Sequence, residues 1–265
     1  MKWPIFIFLL ISSVSFIIPE SEYSKKLKTP PGTVKFNDSL FIDKTEIGNV
    51  HWREFEYWLK DVAKDSISSL QNLPDTTVWI TYNSSLSPYE NYYYRHPAFN
   101  YYPVVGVSFE QANAYCKWRS DRVNEIFAKG PHLNPFPGKK YRYRLPTIAE
   151  WENAAEDLDS IMISMKDKRK GIVSLKNLAN IYKGDTAIEL KNAEVYTAQV
   201  DSYKPNKFGI VNMIGNVSEM TTDRGIAKGG NFLLPIEKCK IKSEQHYAKP
   251  QAWLGFRCVC EIVKE

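Results

Sequence analysis

The chain has 265 residues, is 43% hydrophobic and 14% aromatic, and carries a formal net charge of +5. This length and apolar content fit one large domain with an ample hydrophobic core, and the mild positive charge is spread along the chain. One basic cluster at residues 166–171 is interpreted as a solvated loop, because no DNA- or RNA-binding signature accompanies it. Nucleic acid is therefore excluded as an expected partner.

The N-terminal stretch has the arrangement of a secretory signal: Lys2, then an apolar run, then small residues. Ser13 and Ser15 predict cleavage after Ser15, so residues 1–15 are interpreted as a signal peptide. An uncleaved anchor reaching residue 20 is the alternative, and only then would the protein contact a membrane. We expect an exported protein of the periplasm or cell envelope.

The first predicted elements are a strand and turn in "LFIDKTEIGN", followed by a helix. Asn49 is placed to cap this helix, which is predicted to run to about Leu70. Apolar residues recur along it at helical spacing, which predicts a single buried face. The residues of that face are Trp52, Phe55, Leu59, Val62 and Ala63.

The next segment, residues 89–103, is aromatic and interrupted by prolines, which predicts an irregular stretch that lies along the surface of the domain. Most of its rings are expected to be packed in the core, and the rest, with Trp253, are candidates for a contact patch. The following "YPVVGVS" is predicted to be a short buried strand.

Two capping boxes predict where the later helices begin. Ser108 and Gln111 open a helix whose inward face holds Phe109, Ala112, Cys116, Val123 and Phe127. "PHLNPFPGKK" is a predicted loop and "YRYRLPT" a strand end, after which Thr147 and Glu150 open another helix. Beyond it the pattern is irregular and predicts no long helix. Few helices with many short strands and long loops indicate an α+β domain.

Five stretches carry a family resemblance, and they occur in the family's order. They are "YPVVGVSFEQANAYCKW", "YRLPTIAEWENAA", "KPNKFGIVNMIGNVSEM", "IAKGGNF" and "LGFRC". Together they resemble the formylglycine-generating-enzyme-like, or sulfatase-modifying-factor, domain over residues 33–262. The resemblance implies a decorated C-type-lectin-like α+β fold, rich in loops and short strands.

Within that family, "DKTEIGNVHWREFEYWLKD", "LPDTTVW" and "RHPAFNYYPVVGV" are similar to the gliding-motility and type IX secretion lipoproteins of Bacteroidota. Those proteins carry a lipid-anchor cysteine after the apolar run. No cysteine follows the apolar run here, which is a departure from that branch.

The resemblance also implies where a catalytic site would lie. Formylglycine-generating enzymes oxidise a substrate cysteine with oxygen, using two cysteines that hold copper(I), beside a serine. Here those positions are Leu234, Cys239 and Asn231. Leucine cannot bind copper, and a single thiolate cannot form a linear two-thiolate site. Copper is therefore not expected, and Cys239 is predicted to fill the core.

The loop "GIVNMIGNVSEM" has a Gly-Asn turn followed by Glu219, which could wrap carbonyl oxygens and one carboxylate around calcium. The family resemblance assigns the ligands to Ile214, Gly215, Asn216, Val217 and Glu219. A tight turn in which Glu219 bonds to backbone amides is the alternative. The resemblance implies a second calcium site at Asn180 and Ile181, but its key aspartate is here Asn192.

The four cysteines form no CxxC motif or His-rich cluster that would indicate zinc, and three disulfide pairings are open to them. Cys258 and Cys260 are two residues apart and would share one face of a strand. In the family, the cysteine of "AYC" pairs with that of "GFRC". The resemblance therefore implies a disulfide between Cys116 and Cys258, and leaves Cys239 and Cys260 free.

Two functions follow from these observations. The first is an exported, noncatalytic domain that binds or scaffolds envelope or secreted proteins and is linked to gliding or protein secretion. The second is a copper-dependent oxidase of the formylglycine-generating type that acts on a thiol, which would need a copper ligand besides Cys239.

Overall fold

The computed structural model describes residues 28–37, 40–156, 179–182 and 196–263. The predicted signal peptide, the basic cluster at residues 166–171 and Asn192 lie outside these ranges. No helix within them combines the length and the hydropathy that crossing a membrane requires.

Within the described ranges, eight short strands form two sheets. In the first sheet the order is β1-β2-β8-β3, and all neighbours are antiparallel. In the second the order is β6-β5-β4-β7, and only β4 and β7 are parallel. The strands are β1 (Thr33–Lys35), β2 (Leu40–Asp43), β3 (Lys140–Arg144), β4 (Ser218–Met220), β5 (Ile226–Lys228), β6 (Gln245–His246), β7 (Leu254–Gly255) and β8 (Val259–Val263).

The described residues also form α-helices, together with one π-helical turn at Trp58–Val62. They are α1 (Asn49–Tyr57), α2 (Ser66–Gln71), α3 (Val78–Tyr82), α4 (Ser87–Tyr92), α5 (Phe109–Lys129) and α6 (Ile148–Ala154). Short 3₁₀ turns lie at Ser84–Leu86, Pro97–Phe99, Pro131–Leu133 and Ile236–Lys238. The mixture of helices, short strands and long loops confirms the predicted α+β class.

Both capping boxes form as predicted, because each pairs the free N–H groups of a first helical turn locally. The Ser108 hydroxyl accepts from the Gln111 N–H at 3.2 Å, and the Gln111 side chain accepts from the Ser108 N–H at 2.7 Å. The Thr147 hydroxyl accepts from the Glu150 N–H at 3.2 Å. The predicted face of α5 is buried at Ala112, Cys116, Val123 and Phe127, with Phe109 partly buried beside it.

The long helix predicted from Asn49 to Leu70 is wrong. α1 passes into the π-helical turn, and Lys64 then adopts a left-handed conformation with φ 59°. Asp65 starts α2 by accepting from the Ser68 N–H at 2.9 Å. Because of this break, the C-terminal end of the predicted apolar face is not buried, and Val62 is 55% exposed.

Asn49 does not cap α1, since Gly48 is the N-cap residue. Its buried amide instead donates to the carbonyl oxygens of Tyr93 and Phe99, at 3.1 and 3.0 Å. The stretch at residues 89–103 is less irregular than predicted, because α4 includes its first residues and a 3₁₀ turn its middle.

The "YPVVGVS" segment is buried as predicted, but it is not a strand of either sheet. Val104, Val105 and Val107 are all buried. The segment is held by one isolated bridge, between Pro103 and Gly48, and by the Val104 N–H, which donates to the Ile47 carbonyl at 2.8 Å.

The core consists of separate apolar clusters on the two faces of β8. Cys258 and Cys260 lie in a cluster with the buried faces of α1 and α5, which confirms that the two cysteines share a face. Val259 lies between them in sequence and packs in a second cluster, with Trp151 and Cys239. A third cluster contains the buried ring of Tyr93, with Tyr89, Phe99 and Tyr102 partly buried against it. With Tyr94 in the first cluster, most rings of the aromatic segment are packed as expected, whereas Tyr92 and Tyr101 are exposed.

Candidate functional site: a buried cysteine and a carboxylate network

The turn that follows β5 places the residues of the predicted copper site. Gly229 and Gly230 both have positive φ, at 93° and 70°. A Cβ atom added to Gly230 would lie 2.3 Å from the Cys239 Sγ atom. Only glycine lets the backbone pass this close to the thiol, so the Gly-Gly pair packs Cys239 against the turn.

Cys239 is completely buried, and its Sγ lies 3.5 Å from the Pro235 carbonyl oxygen and 3.7 Å from that of Leu234. Burial raises the pKa of Cys239 to about 12. The side chain is therefore a neutral thiol at physiological pH, whereas a metal-binding or nucleophilic cysteine must be a thiolate. Leu234 is packed against the same apolar cluster.

The side chain of Asn231 stabilises the turn through two hydrogen bonds. Its side-chain N–H donates to the Ser218 hydroxyl at 2.9 Å, and its carbonyl accepts from the Leu233 N–H at 3.0 Å. With one thiol at Cys239, an alkyl side chain at Leu234 and an amide at Asn231, these positions do not fit a linear two-thiolate copper(I) site. Among the described residues, no cluster of three or more His, Cys, Asp or Glu side chains could hold a metal.

Glu219 lies at the centre of a buried hydrogen-bond network. The guanidinium of Arg257 donates to both of its carboxylate oxygens at 2.6 Å, and the indole of Trp151 donates to one of them at 2.7 Å. The same guanidinium also donates to the backbone carbonyls of Asp43, at 3.1 Å, and Val211, at 2.8 Å. Glu219 and Arg257 are both fully buried.

A second buried carboxyl group, Glu46, lies next to this network. Its oxygens accept from the side-chain amides of Asn216, at 2.8 Å, and Asn212, at 3.0 Å. Burial raises the pKa of Glu46 to about 8, an effect that Arg257 opposes and Glu219 reinforces. The sequence reasoning gave Glu46 and Arg257 no role, although both lie inside the motifs "TEIGN" and "GFRC" that it singled out.

The structure brings together the residues of the two predicted calcium sites. Gly215, with φ 74°, packs so closely on the Asn180 backbone that an added Cβ would lie 2.3 Å from its carbonyl oxygen. That oxygen accepts from the Asn216 N–H at 2.7 Å, and the Asn180 amide donates to the Asn216 side-chain oxygen at 3.3 Å. Ile181, Ile214 and Val217 are buried around this contact.

In this arrangement the side chains do not fit a calcium ion. Glu219 is paired with Arg257 and Trp151, and the Asn216 side-chain oxygen also accepts from the Ala198 N–H at 2.7 Å. The loop therefore matches the alternative prediction of a tight turn, with one difference. Glu219 accepts hydrogen bonds from side chains and not from backbone amides. The calcium assignment stays a prediction.

Cys116 and Cys258 lie next to each other, with their sulfur atoms 3.5 Å apart. All four cysteines are buried thiols in the structure, so the sulfur atoms are adjacent but not bonded. The implied disulfide therefore stays a prediction, whereas the proximity of its two partners is observed.

A profile of the Sulfatase-modifying factor enzyme 1-like domain family matches residues 11–262. The chain belongs to this family. The chain is 27% identical over 191 residues to the formylglycine-generating enzyme of Mus musculus, a match that covers 60% of this chain and 44% of that enzyme. It is 32% identical over 195 residues to the formylglycine-generating enzyme of Thermomonospora curvata, with 60% and 56% covered. The matches thus span about half the length of these relatives.

The fold is shared with a solved structure, that of CarF. The two superpose with a TM-score of 0.50 at 16% sequence identity, covering 88% of this chain and 96% of CarF. This similarity confirms the predicted family fold and carries no information on activity.

Loss of the Arg257 charge should destabilise this family member severely. We expect Arg257→Met to lower the free energy of unfolding by about 3–5 kcal/mol, because Glu219 would remain as a buried carboxylate without its partner. Arg142→Met is the matched control, since Arg142 is 63% exposed and pairs with Glu261 at the surface; its loss should change stability by less than about 1 kcal/mol. Urea denaturation measures both. Similar losses for the two variants would contradict the central role of the Arg257 pair.

The raised pKa of Glu46 predicts a particular dependence of stability on pH. Since the carboxyl group is neutral in the folded state and ionises more readily when unfolded, its favourable contribution is present below the unfolded pKa. It is lost as pH rises toward the folded pKa of about 8. Glu46→Gln should therefore flatten the decline of melting temperature between about pH 5 and pH 8. The exposed Glu244→Gln is the control, and equal slopes for the wild type and Glu46→Gln would refute the assignment.

Proposed function

We propose that this protein is an exported, noncatalytic member of its family that binds or scaffolds other envelope or secreted proteins. The observation that carries the proposal is the state of the former copper site. Cys239 is a buried thiol at the position of the second family cysteine, and Leu234 occupies the position of the first. Chemistry at this site would need a second soft ligand and a thiolate.

The competing proposal is a formylglycine-generating oxidase that acts on a thiol. The similarity to curated formylglycine-generating enzymes at 27% and 32% identity favours it. Those matches cover 60% of this chain and about half of each enzyme, so they support a shared domain more strongly than a shared reaction.

A finer proposal places the protein in the gliding-motility and type IX secretion branch of Bacteroidota. The segments "DKTEIGNVHWREFEYWLKD" and "RHPAFNYYPVVGV" support it. The apolar stretch at residues 1–15, which resembles a secretory signal, supports export.

The purified protein should not convert a cysteine-containing sulfatase peptide to formylglycine when copper(I) and oxygen are supplied, since the two-thiolate site is incomplete. Mass spectrometry of the peptide would detect the loss of sulfur and the gain of a carbonyl group. The Thermomonospora curvata enzyme is the positive control. Cys239→Ser should leave this zero activity unchanged and lower stability only slightly. Conversion by the wild type, or tight copper(I) binding that is lost in Cys239→Ser, would contradict this prediction and support the oxidase proposal.

Export predicts that the mature chain begins near Phe16, because the small residues Ser13 and Ser15 precede this point. N-terminal sequencing of protein from the periplasmic and membrane fractions measures this directly. Ser15→Arg is a matched variant, since a bulky charged residue at the cleavage site should block processing. Intact Met1 on wild-type protein in the membrane fraction would show an anchor, and recovery of the protein only from the cytosol would contradict export.

A further inference from the structure

A cavity of about 240 Å³ lies between α1, α5 and the segment that leads into β1. Its floor is formed by Ile47, Tyr115 and Val123, which belong to the apolar cluster around α1 and α5. Cys239 and Leu234 belong to a different cluster, and neither lines the cavity. The cavity is therefore separate from the former copper site.

Two side chains that line the cavity each carry an N–H group without a hydrogen-bond partner, and neither N–H group is exposed at the cavity surface. The Trp118 Nε1 and the Arg122 Nε are both buried from solvent and unpaired, and both side chains line the cavity. Leaving a buried donor unpaired costs about 1–3 kcal/mol. Two other buried indoles are paired: Trp52 donates to the Asn72 carbonyl at 2.9 Å and Trp151 to Glu219 at 2.7 Å. Since both unpaired groups are donors, the group that would satisfy them is an acceptor.

The opposite wall belongs to α1 and supplies a further donor. The Nδ1 atom of His51 accepts from the Gly48 N–H at 3.4 Å. Burial lowers the pKa of His51, so the imidazole is neutral at physiological pH and carries its proton on Nε2. An acceptor inside the cavity could thus receive hydrogen bonds from residues on both helices.

The charges around the cavity disfavour a simple anion. Arg119 is neutralised by Asp43, to which it donates twice at 2.8 Å. Arg122 forms an ion pair with Glu125 on its outer side and stacks over the Trp58 ring at 4.3 Å. The exposed Glu54 lines the cavity as well, and no neighbouring cation is bonded to it. A ligand that carries a positively charged group beside its hydrogen-bond acceptor would complement these charges.

The volume limits the size of the ligand. A cavity of about 240 Å³ holds roughly eight groups of water size, at ~30 Å³ each. It is smaller than the sites of drug-sized ligands, which begin at about 300 Å³. A free amino acid with a small side chain is of the right size and carries both required charges.

We propose that this cavity between α1 and α5 binds a small zwitterionic α-amino acid, whose carboxylate accepts from Trp118 and Arg122 and whose ammonium group lies toward Glu54. The Arg122 side chain is 28% exposed and held by surface contacts. Since neither N–H group is exposed at the cavity surface, binding requires this side chain to rotate so that both groups face the ligand. The proposal does not depend on the protein being noncatalytic.

The test uses the indole N–H resonances of the ¹⁵N-labelled full chain, which has seven tryptophans. Trp118→Phe assigns the Trp118 signal, and Trp253, which does not line the cavity, is the internal control. Millimolar glycine or alanine should shift the Trp118 signal downfield, as a new hydrogen bond requires, and leave Trp253 unmoved. Acetate and methylamine, which each carry only one of the two charges, should bind at least about tenfold more weakly.

The variants separate the roles of the two walls. Trp118→Phe keeps the ring and removes an unpaired donor, so it should fold with unchanged stability and bind glycine about tenfold or more weakly by calorimetry. Glu54→Gln changes an exposed residue and should abolish the preference for glycine over acetate. Trp253→Phe should bind like the wild type. No shift at Trp118 with any amino acid would show that only water occupies the cavity and would overturn the proposal. Equal binding of glycine and acetate by the wild type would overturn the zwitterion assignment.

Discussion

The described fold depends on the buried ion pair between Arg257 and Glu219. The guanidinium binds the carboxylate with two N–H groups and also donates to the backbone carbonyls of Asp43 and Val211. It thus joins the end of β2, the loop before β4 and the segment between β7 and β8. Burying two charges is unfavourable unless each is paired and hydrogen-bonded, so neither partner can be lost alone. The C-terminal "GFRC" stretch is for this reason part of the interior.

The Glu219–Arg257 network also constrains the region of the predicted copper site. Trp151 links the Glu219 network to the Gly-Gly turn, since its ring would lie 3.0 Å from a Cβ atom on Gly229. The Gly-Gly turn also packs closely against Cys239. A cysteine packed into such a rigid, apolar position is stabilised as the neutral thiol, because burial disfavours the thiolate. Of the three predicted copper-site positions, Leu234, Cys239 and Asn231, only Cys239 carries a thiol, the kind of ligand that copper(I) prefers.

The cavity between α1 and α5 differs from the Glu219 network in how its hydrogen-bond donors are paired. The Glu219 network pairs each of its donors, whereas the wall of the cavity leaves the N–H groups of Trp118 and Arg122 unpaired. Buried polar groups in folded proteins are nearly always paired, so unpaired donors on one cavity wall point to a ligand. The cavity and the predicted copper site are separate features, because their residues lie in different clusters of the core.

The sequence by itself determined the family, the α+β class and the local features of the fold. Ser108 and Thr147 begin α5 and α6 as predicted, since a capping box satisfies backbone donors within four residues. The inward position of Cys116 and the shared face of Cys258 and Cys260 also follow from local periodicity. The break after α1 did not follow, because the apolar spacing continues through Val62 while the backbone turns at Lys64. Only the tertiary structure showed that Glu46 binds Asn216, that Arg257 binds Glu219, and that Trp118 and Arg122 line one cavity together with His51. These contacts join residues far apart in the chain, and their energies depend on burial and on missing partners, which only the folded chain specifies.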